Sequence, residues 1–319
     1  MPIDNISTRA CAITGTTGYL GSRLSKYLAQ QSWSIYHLNR SADKADGYHV
    51  PFSLAQGPPE KFFSDRRVEA LVHCSYDFRL NSRKEILEQN VRGSIRLMQA
   101  AREQGVRRIV FISTMSAFEG CSSMYGRAKL EIEKEAHRLG ATVVRPGLIF
   151  GDLPGGMVGA LTKAAGTLPV VPVIGSGRQV LYAAHEDDLA RLVAYFLETE
   201  RIIDGPVVAA CEDGLEFRDI LRELAARQGK RIRLLPIPWR LIWAGLRAAE
   251  TIGLPIAFRS DSVVSLVNQD PAPSFERTRS TGVIFRPFRD GIASGDTAVP
   301  ASYFRANPNT LRKKLESTA

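Results

Sequence analysis

Tyr125 and Lys129 stand four residues apart in a stretch with helical patterning, so a phenol and an ammonium share one face, a turn apart. A free tyrosine, with a pKa of about 10, is a poor acid or base at neutral pH. A nearby ammonium stabilises the phenolate and brings that pKa toward the working range. Such a tyrosine can protonate a developing alkoxide or take a proton from an alcohol. Tyrosine–lysine pairs at this spacing are common on ordinary helices, so the pair needs supporting evidence. It comes just upstream, where the apolar run Ile109-Val110-Phe111-Ile112 ends in Ser113-Thr114-Met115-Ser116, a cluster of hydroxyls at a strand end.

A second group binds rather than reacts. Thr14-Gly15-Thr16-Thr17-Gly18-Tyr19-Leu20-Gly21 follows the apolar run Ala10-Cys11-Ala12-Ile13. That reads as a buried strand, a glycine turn and a helix starting near Tyr19-Leu20. Glycine lets the backbone approach a ligand closely, and the helix N-terminus offers free N–H groups to a pyrophosphate. A glycine pattern alone marks only a turn; between strand and helix it points to a dinucleotide.

The elements that must hold these residues alternate. Strands are expected at Ala10–Thr14, Ser34–Leu38, Ala70–Cys74, Arg108–Ser113 and Thr142–Arg145, with helices at Gly21–Gln30, Arg83–Glu103 and Tyr125–Leu139. Such βαβ units predict a doubly wound parallel Rossmann sheet with ligands at the carboxyl ends of its strands. Gly and Pro crowd the span from Gly151 to Gly177, which reads as irregular structure. A helix at Glu186–Leu197 and a strand at Pro206–Ala210 return to the sheet. The expected division is α/β: residues 1–150 and about 180–210 form the dinucleotide domain, and 151–179 with 211–290 form a smaller, mostly helical substrate region. Residues 291–319 are a polar tail. Within the helical region, Trp239–Leu246 is strongly lipophilic. It reads as a helix packed on the core or roofing a greasy pocket, with an interfacial membrane helix as the alternative.

Composition narrows the class. The 42 Lys and Arg against 33 Asp and Glu give a net charge of +9, but they are interspersed and form no nucleic-acid module. An anionic cofactor is the expected partner, together with a small-molecule substrate and no nucleic acid. Four scattered cysteines and dispersed histidines suggest neither disulfides nor a metal site, and a reducing cytoplasm is the natural compartment. No signal peptide or transmembrane segment is read from the sequence.

With these residues in place, the sequence resembles the extended branch of the short-chain dehydrogenase/reductase superfamily over about residues 9 to 290, in an atypical, epimerase/dehydratase-like form. Thr14–Gly21 fits TGxxGxxG, and His73-Cys74-Ser75 occupies the HxA strand end. Asn90-Val91-Arg92-Gly93 fits NVxG, and Tyr125–Lys129 fits YxxxK. Arg145–Gly151 fits RPxxxYG with Phe150 for Tyr, and His185–Ala190 resembles HVxDVA. The resemblance implies that Tyr125 is the general acid/base and that Lys129 holds the nicotinamide ribose and tunes the tyrosine. A strand-end hydroxyl would assist; the family position falls on Met115, so Thr114 is the first choice and Ser116 the second. Cofactor contacts are implied at Gly15, Thr17, Gly18, Tyr19, Leu20, Gly21, Asn39, Arg40, Ser41, Cys74, Ser75, Tyr76, Asn90, Ile112, Tyr125, Lys129, Pro146, Gly147 and Leu148. Dimerisation through the Arg83–Glu103 and Tyr125–Leu139 helices is implied by the same analogy.

At the end of the second strand the sequence reads Leu38-Asn39-Arg40-Ser41 with no acid until Asp43, which favours NADP(H) over NAD(H). A dehydratase would carry an Asp-Glu pair after Thr114, where Met115-Ser116 stands instead. The sugar enzymes' arginine position, counted from Gly175-Ser176-Gly177, falls on Leu181, with Arg178 a poorly matched substitute. An NADPH-dependent carbonyl reductase or alcohol dehydrogenase for a lipophilic substrate is therefore expected. A nucleotide-sugar epimerase with tightly bound NAD and a non-catalytic NAD(P)-binding protein are the alternatives.

Overall fold

The computed structural model describes residues 9–40, 47–152, 155–199, 203–254 and 258–292. The first strands are β1 (Arg9–Thr14), β2 (Trp33–Asn39), β3 (His49–Pro51) and β4 (Val68–His73), followed by β5 (Arg108–Ile112) and β6 (Thr142–Pro146). Helix α1 (Tyr19–Gln30) joins β1 to β2, and the short α2 (Phe62–Asp65) precedes β4. Before β5 lie α3 (Arg83–Glu85), a π-helical turn (Ile86–Val91) and α4 (Arg92–Glu103); α5 (Met124–Arg138) precedes β6.

Beyond β6 come β7 (Leu148–Phe150), α6 (Gly156–Thr167), β8 (Val170–Ile174), β9 (Val180–Leu181) and β10 (Ala183–His185). Helix α7 (Glu186–Glu198), β11 (Val207–Ala209), β12 (Leu215–Glu216), α8 (Phe217–Ala226) and β13 (Arg233–Ile237) follow. The last elements are α9 (Trp239–Thr251), α10 (Ser260–Val267), α11 (Glu276–Arg279) and α12 (Phe288–Ile292).

Seven strands form one parallel sheet in the order β11-β6-β5-β4-β1-β2-β3. The order reverses between β1 and β4, the switch point at which such sheets open a crevice. Period-two alternation feeds both faces. Cys11 and Ile13 join a core with Leu24 and Leu28 of α1 and Leu189, Leu192 and Val193 of α7. Ala12 faces the opposite core, with Leu97 and Met98 of α4 and Ala128, Ile132 and Ala136 of α5. A third core of Phe150, Val158, Val171, Leu221, Val263 and Phe288 underlies the C-terminal elements.

Two local expectations change. The Gly-rich span from 151 to 177 holds α6 and β8, and α6 uses its small residues for close packing: a Cβ on Gly166 would collide with the Gln228 side chain. The helix expected over Arg83–Glu103 is interrupted by the π turn. Its Asn90 is buried there, and its amide brackets the backbone of Asp77, accepting from Asp77 N at 2.7 Å and donating to Asp77 O at 3.1 Å.

Candidate functional site

Residues from the start of α1 and from the carboxyl ends of β4, β5 and β6 converge around a cavity of about 400 Å³. Tyr19, Leu20, Cys74, Tyr76, Ile112, Thr114, Ser116, Tyr125, Lys129, Pro146, Gly147 and Leu148 all line it, so most of the sequence-expected site residues meet there.

The glycine turn sits at one end. Gly15 has φ +73° and its amide donates to Leu38 O at 3.3 Å, while Gly18 N donates to Gly15 O at 2.9 Å. A Cβ on Gly21 would run into the Gly15 carbonyl, so only glycine lets α1 start this close. Helix α1 opens with no side-chain cap and no acid in its first turn, which leaves its N–H groups and dipole available to an anion. Asn39, at the end of β2, is buried with its Oδ1 unpaired, while its amide nitrogen donates to Thr16 Oγ1 at 3.4 Å. Arg40 is exposed and reaches Asp77 at 3.4 Å, a carboxylate that Arg79 also holds at 2.6 Å. Ser41 lies outside the described residues.

Beneath the turn, Thr14 Oγ1 accepts from the amides of Cys74 (3.0 Å) and Ser75 (3.1 Å). Its proton therefore goes to His73 Nδ1, 2.8 Å away. Burial and the Lys129 charge hold the His73 pKa down at about 3, so this imidazole is neutral.

At the other end stands the catalytic candidate. The Tyr125 ring is held edge-on by Tyr76 (4.9 Å between centroids) and tilted against Phe78 (5.4 Å). Burial pushes its phenol above the ordinary tyrosine range, and a hydrogen bond with the Thr114 hydroxyl acts in the opposite direction. The four-residue spacing predicts that Lys129 lowers the Tyr125 pKa. Its ammonium instead lies 6.0 Å from the Tyr125 ring centroid, donates to Ile112 O at 2.7 Å and sits over Phe111 at 4.6 Å. Desolvation brings Lys129 itself down to about 8. Of the two hydroxyl candidates, Thr114 is the one whose hydroxyl acts on the Tyr125 phenol, favouring the phenolate; Ser116 donates its amide to Thr114 Oγ1 at 3.2 Å and lines the cavity.

Helix α5 is tied down at three points. Ser123 caps it by accepting from Gly126 N at 3.0 Å. A Cβ on Gly126 would collide with the Ser116 carbonyl, so this glycine lets the hydroxyl segment lie against the helix. Deeper down, Glu133 accepts from Ser113 and forms a two-pronged ion pair with Arg145 at 2.9 and 2.6 Å.

Sequence reasoning missed Asp261. Its carboxylate crosses the cavity from α10 and accepts from Met124 N (2.8 Å) and Tyr125 N (2.9 Å), the first amides of α5. It reaches across 136 residues of chain, and no local pattern marks it.

His185 caps α7, accepting from Asp187 N at 3.3 Å, and packs edge-on against Phe150 at 5.1 Å; it does not line the cavity. Helix α9 is likewise absent from the lining, so Trp239–Leu246 does not roof the pocket. Among the described residues, no group of His, Cys, Asp and Glu could hold a metal, and no helix is long and apolar enough to cross a membrane.

The doubly wound sheet, its ordered motifs and the matching relatives define an extended short-chain dehydrogenase/reductase. More narrowly, residues 11–209 match the sequence model of the NAD dependent epimerase/dehydratase family, and the chain belongs to that family. A ceramide reductase of Caulobacter vibrioides is 29% identical over 243 residues, spanning 71% of this chain and 73% of its own length. A UDP-glucose 4-epimerase of Vibrio cholerae is 21% identical over 272 residues, spanning 75% and 81%. Among solved structures, the UDP-glucose 4-epimerase of Thermus thermophilus complexed with NAD superposes with a TM-score of 0.63 at 19% identity, covering 93% of this chain and 99% of that one. Relatives of this kind are reductases and epimerases, which makes an oxidoreductase-type enzyme using a nicotinamide dinucleotide the general class.

Proposed function

We propose that this enzyme is an NADPH-dependent oxidoreductase acting on the carbonyl or alcohol of a small, lipophilic substrate. The observation that carries the reading is the meeting of Tyr125, its Thr114 partner and Lys129 in one cavity beside the uncapped start of α1.

The cofactor fits the residues present. The Gly15–Gly21 turn and α1 take the pyrophosphate, and the unpaired Asn39 Oδ1 is an acceptor for a ribose hydroxyl. Arg40, exposed beside that position with no nearby acid on its own strand, is the donor for a 2′-phosphate, released from Asp77 when the phosphate arrives. When bound, the nicotinamide supplies the hydride to carbonyl carbon or accepts it from alcohol carbon. Tyr125 gives its phenolic proton to the carbonyl oxygen in the first direction and takes the hydroxyl proton in the second. Thr114 donates a hydrogen bond to the same oxygen, and Lys129 holds the ribose.

The substrate class follows from the walls. Phe78, Leu80, Met115, Met157 and Leu266 give the cavity an apolar lining. Its cations are Lys129 and Arg259, the latter already paired with Glu250 at 3.6 Å. A sugar diphosphate would need free positive charge there, and Leu181 stands on the wall where the sugar enzymes' arginine is expected. The ceramide reductase relative acts, by its name, on a lipid.

The test is direct. Tyr125→Phe abolishes hydride transfer from NADPH to lipophilic ketones and leaves NADPH affinity within about twofold; loss of both would assign Tyr125 a structural role. Arg40→Ala weakens NADPH by about tenfold or more, the worth of a charge-assisted phosphate contact, and leaves NADH unchanged. Equal effects on the two cofactors would remove that assignment.

A further inference from the structure

Helix α9 has no fully buried residue along its 13 positions. Ile242 and Leu246 rest partly buried on the third core, while Trp239, Leu241 and Trp243 are 37%, 65% and 38% exposed. Just past its end Ile252 and Leu254 stand open, and on the parallel ribbon of β8 and β13 Val170 and Leu235 are exposed as well. Single exposed apolar side chains are ordinary; this many around one peripheral helix, with Trp239 and Trp243 on one side of Arg240 and Leu241 on the other, mark an interaction surface.

Its charge has one sign. No acid occurs between Trp239 and Ala249, and Glu250 is folded back onto Ser260 and Arg259. Arg231, Arg233 and Arg240 are exposed, and among the described residues none of them has an acidic partner within 4.0 Å. The register sets Arg233 beside Val170, and Arg240 lies over the Trp239 ring at 5.6 Å. Tryptophans between arginines beside aliphatic side chains match the boundary between anionic lipid headgroups and acyl chains.

We propose that α9 and the β8–β13 ribbon seat this enzyme on an anionic phospholipid bilayer, with Trp239, Leu241 and Trp243 in the headgroup boundary and the arginines on lipid phosphates. The inference rests on the lipophilic-substrate reading. Helix α9 packs on α10, which lines the cavity with Asp261, Ser265 and Leu266. The seat therefore lies one helix from the site, and a substrate dissolved in the bilayer has a short path to Tyr125.

The test uses the full chain with vesicles of phosphatidylcholine alone or mixed equally with phosphatidylglycerol, read by co-sedimentation and tryptophan emission. The third tryptophan, Trp33, is 3% exposed, so a vesicle-induced blue shift reports Trp239 and Trp243. The anionic vesicles carry the chain down with a blue shift, and raised salt releases it. Arg240→Ala lowers the partition by about fivefold, and Leu241→Glu lowers it further without moving the melting temperature. Equal sedimentation with both vesicle types, or no loss in Leu241→Glu, overturns the proposal. So does a dimer in solution that Leu241→Glu converts to monomer, because a second copy would then own this face. An NADPH titration of the same samples separates the two readings: NADPH binding without vesicle binding removes the membrane seat alone. Vesicle binding without NADPH binding upholds the seat and removes the reductase.

Discussion

Tyr125 is set among aromatic rings rather than beside a free cation, and this changes how its acidity is controlled. The ordinary argument from Tyr-x-x-x-Lys spacing brings the ammonium to the phenol. Here the Ile112 carbonyl and the Phe111 ring claim Lys129, leaving the Thr114 hydroxyl as the group that favours the phenolate. Lys129 also carries a stability signature. Its folded pKa of about 8 lies below the ordinary 10.5, so between those values the unfolded chain holds a proton that the folded chain has released. Stability therefore gains from Lys129 as pH rises through that window, and below it the full cost of the buried ammonium is present. Lys129→Met removes this rise, measured as the urea midpoint between pH 8 and 10.5 in both proteins. His73 acts on the acid side: with a folded pKa near 3 against 6.5, its contribution is lost as pH falls from 6.5 toward 3.

At the scale of elements, the start of α5 is where the site is assembled. Its Ser123 cap, the Gly126 contact with Ser116 and the Asp261 carboxylate fix the first turn, and Tyr125 is the second residue of that turn. Asp261→Asn keeps the shape and one acceptor but loses the charge on two amides. It lowers stability by about 1 kcal/mol and depresses kcat with lipophilic ketones more than it raises the Kd for NADPH. An equal fall in both would mean that Asp261 only supports the fold. Strand periodicity, the glycine turn and the Tyr125–Lys129 face were legible in the sequence because each is local: a period of two, a strand-turn-helix, a spacing of four. Asp261 was not, because its partners lie at Met124 and Tyr125, and a lone Asp in a helix's first turn signals only its own helix. Helix α6 was hidden for a related reason, since its Gly166 serves packing against Gln228 while its glycines read from sequence as breakers. The π turn leaves no sequence period of its own; the buried amide of Asn90 becomes visible only once Asp77 is beside it.

Across the whole molecule, distant segments are locked by buried charge. Asp188 in α7 accepts from the Arg286 backbone at 2.8 Å and from its guanidinium at 2.7 and 3.0 Å, and Arg191 adds a contact at 2.6 Å. This ties the C-terminal run through Phe285 and Phe288 onto the sheet core and the third core. Arg286→Ala strips the buried side of Asp188 and costs about 3 kcal/mol, read as a fall in melting temperature with NADPH affinity per folded molecule unchanged. A loss below about 1 kcal/mol would show that Arg191 alone satisfies Asp188.

The Asp261 tie also bears on how such an enzyme changes substrates over evolutionary time. The glycine turn and sheet can be inherited intact while the wall opposite is redrawn, but the redrawing is not free. Any replacement of α10 must still present an acceptor to the Met124 and Tyr125 amides or leave two donors unpaired at the start of α5. On the proposed mechanism, a new specificity grafted at this wall would alter the poise of the tyrosine at the same time, so recognition and turnover would be selected as one trait.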